Sequence, residues 1–366
     1  MTPRAAQPPS DRHDSPCACG LRALAAFGAV LGLAACIAAP SVVFAQSGSP
    51  FDGASPERVS FSASDKDARA GMDRAERTVD GIEIYHVQGN VYLLVGAGAN
   101  VAVQVGADGV LVVDTGNAAK RAGVLAAIRK LSSGPIRWIV NTSADADHTG
   151  GNETISQAGM TVNGNPAAII AHENVLTRMT AANRPITELP LNTFFEAGRD
   201  FYFNGEAVFL YHVPAAHTDG DVIVYFRGSD VLVSGDLFTT TQYPVIRLDQ
   251  GGGVDGFVEG LNQMLDIAVP RYLQEGGTYV IPGHGRVCDE ADLIDYRDMV
   301  VIVRDRIRTL VAQGMTLQQV LATKPALDYD PRYGNDRGPW TSAMFVEAIY
   351  RDPGKATSGK QRLPAK

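Results

Sequence analysis

The chain has 366 residues, of which 45% are hydrophobic and 20% are charged, enough for one large α/β core or two small ones. The net charge is −8, and no stripe of basic residues with interleaved aromatics occurs, so nucleic acid is excluded as an expected partner. No long polar run dominates the sequence, which favours a globular protein over a disordered one.

The first 45 residues have the three parts of a secretory signal peptide. Three arginines precede residue 23, an uncharged apolar segment covers 23–45, and Val43 and Ala45 occupy the −3 and −1 positions of a cleavage site. We therefore expect the mature protein to begin at Gln46 and to be periplasmic or secreted. A membrane anchor is the alternative, because the apolar run is nearly long enough to span a bilayer.

The cysteines add a second alternative and limit the mature fold. Leu33-Ala34-Ala35-Cys36 is similar to a lipoprotein box, and lipidation at Cys36 would tether the protein to a membrane. Cleavage after Ala45 leaves Cys288 as the remaining cysteine, so no internal disulfide is expected.

Residues 46–78, rich in Ser, Gly, Asp and Ala, are predicted to be a flexible lead-in to a domain over 79–350. Short β-branched segments predict a first round of elements: strands at Ile82–Val87, Val91–Val95, Asn100–Val105, Val110–Asp114 and Ile136–Val140, and a helix at Ala118–Leu131. The second round has strands at Ala168–Ala171, Arg199–Phe203, Ala207–Val213, Val222–Phe226, Val231–Ser234 and Tyr279–Ile281, and helices at Val254–Ile267 and Glu290–Gln313. This order is compatible with two sheets packed face to face and helices outside, followed by a C-terminal helical extension and a disordered tail over 351–366.

Three histidines and one aspartate lie in Gly- or Asp-rich turns directly after predicted strands: His148, His217, His284 and Asp236. Strand-to-loop junctions are where rigid scaffolds place functional side chains. Imidazole and carboxylate without thiolate suit Zn²⁺, or Fe or Mn. A turn-capping role remains open for any one of these histidines, but four such segments together indicate a metal site.

In order and across about residues 80–300, these segments resemble the metallo-β-lactamase superfamily, whose fold is a four-layer αββα sandwich of the α/β class. The first metal motif of the family is His-x-His-x-Asp-His, preceded by Asn-Thr and followed by Thr-Gly-Gly-Asn. The frame from Asn141 to Asn152 is intact here, but Ser143 and Asp145 replace the two leading histidines.

The resemblance implies a complete set of four ligands for the second metal site: Asp147, His148, Asp236 and His284. It also makes His217 the third histidine of the first site, Asp236 the bridging carboxylate and Asp114 a residue that orients ligands. One zinc ion in the second site is the economical expectation. A second ion held with the help of Asp145 is the alternative.

The function implied is that of an exported metal-dependent hydrolase, acting on a small-molecule amide, lactam, lactone or other ester through a metal-activated water. Asp147 or Asp145 would be the general base. The rival is a metal- or ligand-binding protein of the same fold that has lost catalysis. Loss of two histidines favours this rival, whereas retention of His217 and of the second site favours the enzyme. Three histidines outside these motifs are interpreted as structural: His86, His172 and His212. Tyr243, after Asp236, is interpreted as a packed loop residue, with a place in the lining of the pocket as the alternative.

Overall fold

The computed structural model describes residues 75–274, 276–352 and 354. The predicted signal peptide over 1–45, the lipidation site at Cys36, most of the lead-in and most of the C-terminal tail lie outside the described residues. Within these ranges, no helix combines the length and the apolar character needed to cross a bilayer.

The first sheet of the described chain has eight strands in sequence order. They are β1 (Arg77–Val79), β2 (Ile82–Gln88), β3 (Val91–Val95), β4 (Val101–Gly106), β5 (Gly109–Val113), β6 (Ile136–Val140), β7 (Ala168–His172) and β8 (Asn192–Phe194). Strands β1 to β5 pair antiparallel, whereas β5 to β8 pair parallel. The C-terminal ends of β5, β6 and β7 therefore meet at one edge.

The second sheet of the described chain has five strands in the order β13-β12-β11-β10-β9. They are β9 (Gly198–Phe203), β10 (Glu206–Val213), β11 (Asp221–Phe226), β12 (Val231–Val233) and β13 (Tyr279–Ile281). The pairs among β9 to β12 are antiparallel, and β12 pairs parallel with β13. The ends of β10, β12 and β13 and the start of β11 therefore share one edge of this sheet.

Nine helices connect or cover these strands in the described residues. They are α1 (Arg121–Leu131), α2 (Ala146–Thr149), α3 (Asn152–Gln157), α4 (Glu173–Ala181), α5 (Val254–Ile267), α6 (Glu290–Ala312), α7 (Leu317–Thr323), α8 (Asp330–Tyr333) and α9 (Ser342–Arg351). Helix α1 begins three residues later than predicted, because the Asn117 side chain accepts a hydrogen bond from the Lys120 amide and closes a turn there. Helix α4 was not predicted from the sequence.

Successive side chains of a strand point to opposite faces of its sheet, and this alternation produces the layers of the fold. In β5, Leu111 and Val113 enter the core between the two sheets, whereas Val110 and Val112 pack in the core under α1 and α3. In β12, Val231 and Val233 enter the inter-sheet core, and Leu232 packs in the core under α5, α6 and α9. The order is therefore helices, sheet, sheet, helices, which confirms the predicted αββα sandwich.

Hydrogen bonds join the two sheets at the edge where the strand ends meet. The Val222 amide donates to the carbonyl of Thr142 (2.9 Å), and the Asn100 amide donates to the carbonyl of Gly283 (2.8 Å). These bonds fix the loop after β6 against β11, and the β3–β4 turn against the loop after β13. Loops that carry functional side chains are thereby held by backbone contacts from the opposite sheet.

Leu210→Ala tests the inter-sheet core. Leu210 is completely buried there, so its truncation should lower the free energy of unfolding by about 2–5 kcal/mol. Urea unfolding of the mature protein measures the loss. The matched control is Leu191→Ala at a side chain that is 65% exposed, for which we expect a change within about 0.5 kcal/mol. Equal unfolding midpoints for both variants would contradict the assigned core.

Candidate metal centre

The predicted site residues all come from loops at the shared edge of the two sheets. The first sheet supplies Asp114 directly after β5 and the segment 143–148 after β6. The second sheet supplies the others: His217 between β10 and β11, Asp236 after β12 and His284 after β13. Residues more than 100 positions apart in the sequence are thus brought into one cluster.

Two groups of three ligand atoms form within this cluster. One consists of Asp147, His148 and His284, and the other of Asp145, His217 and Asp236; in each group the ligand atoms lie within 4.8 Å of one another. The first group contains residues that the sequence assigned to the second metal site. The other group contains Asp145 in addition to the predicted His217 and Asp236.

Asp236 lies between the two groups. Its Oδ1 atom is 3.2 Å from Nε2 of His148 and 3.4 Å from Nε2 of His284, and its Oδ2 atom is 3.9 Å from Nε2 of His217. One carboxylate therefore faces both groups with different oxygens. This is the placement that a bridging ligand requires.

Two buried imidazole nitrogens show that the cluster suits a cation. Nε2 of His148 and Nε2 of His217 are inaccessible to solvent and make no hydrogen bond. Buried polar atoms are normally satisfied, so each such atom calls for an explanation. Both nitrogens face carboxylate oxygens at ion-pair distances, and the N/O donor set is one that Zn²⁺ and related ions take.

Asp114, to which the resemblance assigns an orienting role, contacts His148. Nδ1 of His148 donates to Oδ2 of Asp114 (2.7 Å), which also accepts from the Thr142 hydroxyl (2.6 Å). The Nδ1 bond directs Nε2 toward Asp236. Burial opposes the charged imidazole, but Asp236 and Asp114 raise the pKa of His148 well above its usual value.

His217 has an analogous partner that sequence reasoning did not single out. Nδ1 of His217 lies 3.3 Å from Oδ1 of Asp221, and that carboxylate is itself held by the amide and hydroxyl of Thr218. Burial would lower the pKa of His217, but the carboxylates of Asp145 and Asp221 raise it to about 10. A bound cation would replace the proton that these carboxylates otherwise retain on the ring.

The pKa values of the carboxylates are shifted in the opposite direction, downward. Burial would raise the pKa of Asp236, but His148 and His217 hold it far below its usual value. Burial likewise opposes ionisation of Asp147, and His284 and His148 nevertheless lower its pKa. The aspartates are therefore ionised at neutral pH, which is the state that metal ligation needs.

Asp145 has a partner that the sequence did not predict. Nη2 of Arg247 donates to Oδ2 of Asp145 at 3.0 Å, and the same oxygen lies 3.5 Å from Nε2 of His217. Burial opposes ionisation of Asp145, but His217 and Arg247 lower its pKa. The Asp145 carboxylate is thus already engaged, whereas the prediction of a general base treated it as free.

A family model of the metallo-β-lactamase superfamily matches residues 85–284. The chain belongs to this superfamily. Its members are mostly metal-dependent hydrolases and include lactamases and sulfatases. A search of the curated proteins finds no match.

Solved structures of the superfamily fold are similar to this chain. The inverting sec-alkylsulfatase Pisa1 from Pseudomonas sp. matches with a TM-score of 0.54 and 15% identity, over 73% of this chain and 49% of that one. The chain thus spans about half the length of the sulfatase. A metallo-β-lactamase from Pontibacter korlensis matches with a TM-score of 0.49 and 16% identity, over 60% of this chain and 99% of that one.

Ser143 stands where the superfamily motif has its first histidine. Its side chain is 1% exposed, and its hydroxyl accepts a hydrogen bond from the Asp145 amide (3.3 Å). Gly283, before His284, has a different role: a methyl group there would overlap Oδ1 of Asp236. A glycine directly before a predicted ligand was the available sequence signal for this close approach.

The residues interpreted as structural are held by local contacts. His86 and His212 each bond a backbone carbonyl through Nε2, at 2.9 and 2.8 Å, and His172 stacks on His212 at 3.5 Å. The buried Tyr243 hydroxyl donates to the Ala326 carbonyl at 2.8 Å. Neither group of metal ligands includes any of them.

Asp114→Asn should weaken zinc binding by about 10- to 100-fold, because the variant loses the charge that orients His148. Asp114 has a φ of 62°, a conformation that asparagine tolerates, so the backbone should be retained. Competition with a chromophoric chelator measures the affinity. Asp328→Asn, at a side chain that is 65% exposed, is the control; an unchanged affinity in Asp114→Asn would refute the orienting role.

Proposed function

We propose that this protein is an exported metal-dependent hydrolase that cleaves an amide, lactam, lactone or other ester of a small molecule. The observation that supports this most directly is the pair of buried, unpartnered Nε2 atoms on His148 and His217, which face carboxylates at one edge of the sandwich. A protein that no longer bound a metal would have no reason to keep these atoms unsatisfied. Membership of a superfamily of hydrolases supports the same conclusion.

The residues of the second site would hold zinc, or alternatively iron or manganese: Asp147, His148, Asp236 and His284. When bound, the ion would supply Lewis acidity, lowering the pKa of water and polarising the substrate oxygen. His148 and His284 would bind it as neutral imidazoles, while Asp147 and Asp236 would bring negative charge that a divalent cation offsets.

Asp147 is the residue we assign to proton transfer. Its side chain is 39% exposed, against 15% for Asp145 and 14% for Asp236, so it is the carboxylate of the three that is most accessible to water. Hydrolysis adds the water oxygen to the acyl carbon and breaks the bond to the leaving oxygen or nitrogen. Asp147 would accept the water proton and return it to that leaving atom.

Asp147→Ala should both strip the ion from the second site and abolish hydrolysis, because it removes a ligand and the proton acceptor together. Elemental analysis gives the metal content. A panel of chromogenic lactams, lactones, carboxylic esters and phosphoesters, with a secondary alkyl sulfate added because of the similar sulfatase fold, gives the activity. Asp336→Ala, at an exposed position, is the matched control.

The wild-type protein should lose activity with a chelator and regain it with zinc. Hydrolysis that survives complete metal removal would contradict metal dependence. A fully metal-loaded wild-type protein that turns over no member of the panel would favour the rival metal- or ligand-binding function.

Export is the other part of the proposal, supported by the signal-peptide pattern and by Val43 and Ala45 before the cleavage site. Protein from the native host should have the intact mass of a chain that begins at Gln46. The change to make is Ala45→Arg, which should block cleavage and leave the precursor mass, because the −1 position requires a small residue. A species carrying diacylglycerol on Cys36 would establish the lipoprotein alternative instead.

A further inference from the structure

We propose that Arg247 is a positioning residue, which holds Asp145 in place of a missing imidazole and so completes a second cation position with His217 and Asp236. This inference rests on the proposed metal dependence but goes beyond the single ion that the sequence favours. It concerns a residue outside every motif of the superfamily frame described above.

The first step is the unusual behaviour of Asp145 at the start of α2. Asp145 occupies the N-cap position, where an aspartate side chain normally accepts a hydrogen bond from an amide of the first turn. Here its φ and ψ of −65° and 146° suit a cap, yet the side chain makes no capping bond. Something other than the local backbone determines where this carboxylate points.

Arg247 supplies the competing interaction. Its Nη2 atom bonds Oδ2 of Asp145 at 3.0 Å and turns this oxygen toward Nε2 of His217, 3.5 Å away. Both partners of this bond are charged, whereas a capping bond would join the same carboxylate to a neutral backbone amide. Arg247 therefore outcompetes the cap and keeps Asp145 with the ligand atoms of His217 and Asp236.

The position of Arg247 is itself tied to His217. The Arg247 amide donates to the His217 carbonyl (2.9 Å), and the Gly253 amide donates to the Ala216 carbonyl (2.9 Å). Gly252 lies so close to the His217 carbonyl that a methyl group there would overlap it. Arg247 and His217 thus belong to one packed segment, and Arg247 contacts Asp145 from that segment.

Charge balance gives the arginine a second role. Replacing a neutral imidazole with the carboxylate of Asp145 adds one negative charge to a site that already contains Asp236. A carboxylate that is only 15% exposed needs a nearby positive charge or a cation. Arg247 supplies one positive charge, which restores the balance that a histidine at this position would have had.

Zinc binding to the metal-free mature protein tests this proposal, with calorimetry for the affinities and elemental analysis for the stoichiometry. The wild type should bind two equivalents. In Arg247→Met the second equivalent should bind about 10- to 100-fold more weakly, while the first is unchanged. Arg247→Lys, which keeps one charged donor, should fall between the two. Arg306→Met is the control, because Arg306 also pairs with an aspartate, Asp328, and is 42% exposed against 41% for Arg247.

A double-mutant cycle separates positioning from general destabilisation. Asp145→Asn should lose the same equivalent, and adding Arg247→Met to it should change zinc binding no further. Thermal unfolding of the metal-free variants checks that each is folded, and Arg247→Lys decides the matter should Arg247→Met not fold.

Two outcomes would overturn the proposal: one equivalent of zinc in the wild type, or an unchanged second equivalent in Arg247→Met. A wild type that binds one ion and hydrolyses a member of the substrate panel would overturn the role of Arg247 and leave the proposed hydrolase function intact. The two proposals therefore fail separately.

Discussion

The carboxylate of Asp236 lies within 3.9 Å of the Nε2 atoms of His148, His217 and His284. The rest of the site depends on how this buried negative charge is compensated, because an uncompensated carboxylate is costly away from water. Without an ion, nearby carboxylates raise the pKa of His148 and of His217, which favours the protonated form of both rings. A divalent cation would satisfy the same charges and also the unpartnered imidazole nitrogens. Protons and metal would therefore compete for the same side chains.

Much of this arrangement was predictable because it follows from strand ends. Alternating β-branched segments gave most strands to within one residue, and the turns after them carry the ligands. Strand β7 was predicted within the second round of elements, but it lies in the first sheet, between β6 and β8. The order of strands in a sheet depends on packing between distant segments, and local periodicity carries no information about it. Helix α4 was missed because its first residue follows β7 directly, without a turn signal between them.

The role of Arg247 was not predictable from the sequence, for a different reason. It lies 102 residues from Asp145, outside any recognisable motif, and only the packing of its loop against His217 brings it to the site. Asp221 was equally hidden, although it lies four residues after His217, because its role depends on the direction of an imidazole ring. Sequence motifs identify groups that can bind a metal. Asp221 and Arg247, which contact those groups, are identified only by tertiary contacts.

The two histidine replacements in the first motif therefore have different consequences. At 143 an imidazole is lost, and the serine hydroxyl accepts a hydrogen bond from the Asp145 amide. At 145 the aspartate leaves its helix uncapped and joins His217 and Asp236 instead. A neutral, rigid ligand is replaced by a charged, shorter one whose direction depends on a neighbour. Chemistry in such a site is set by that neighbour as much as by the ligand, which is why the shared fold alone does not define the reaction.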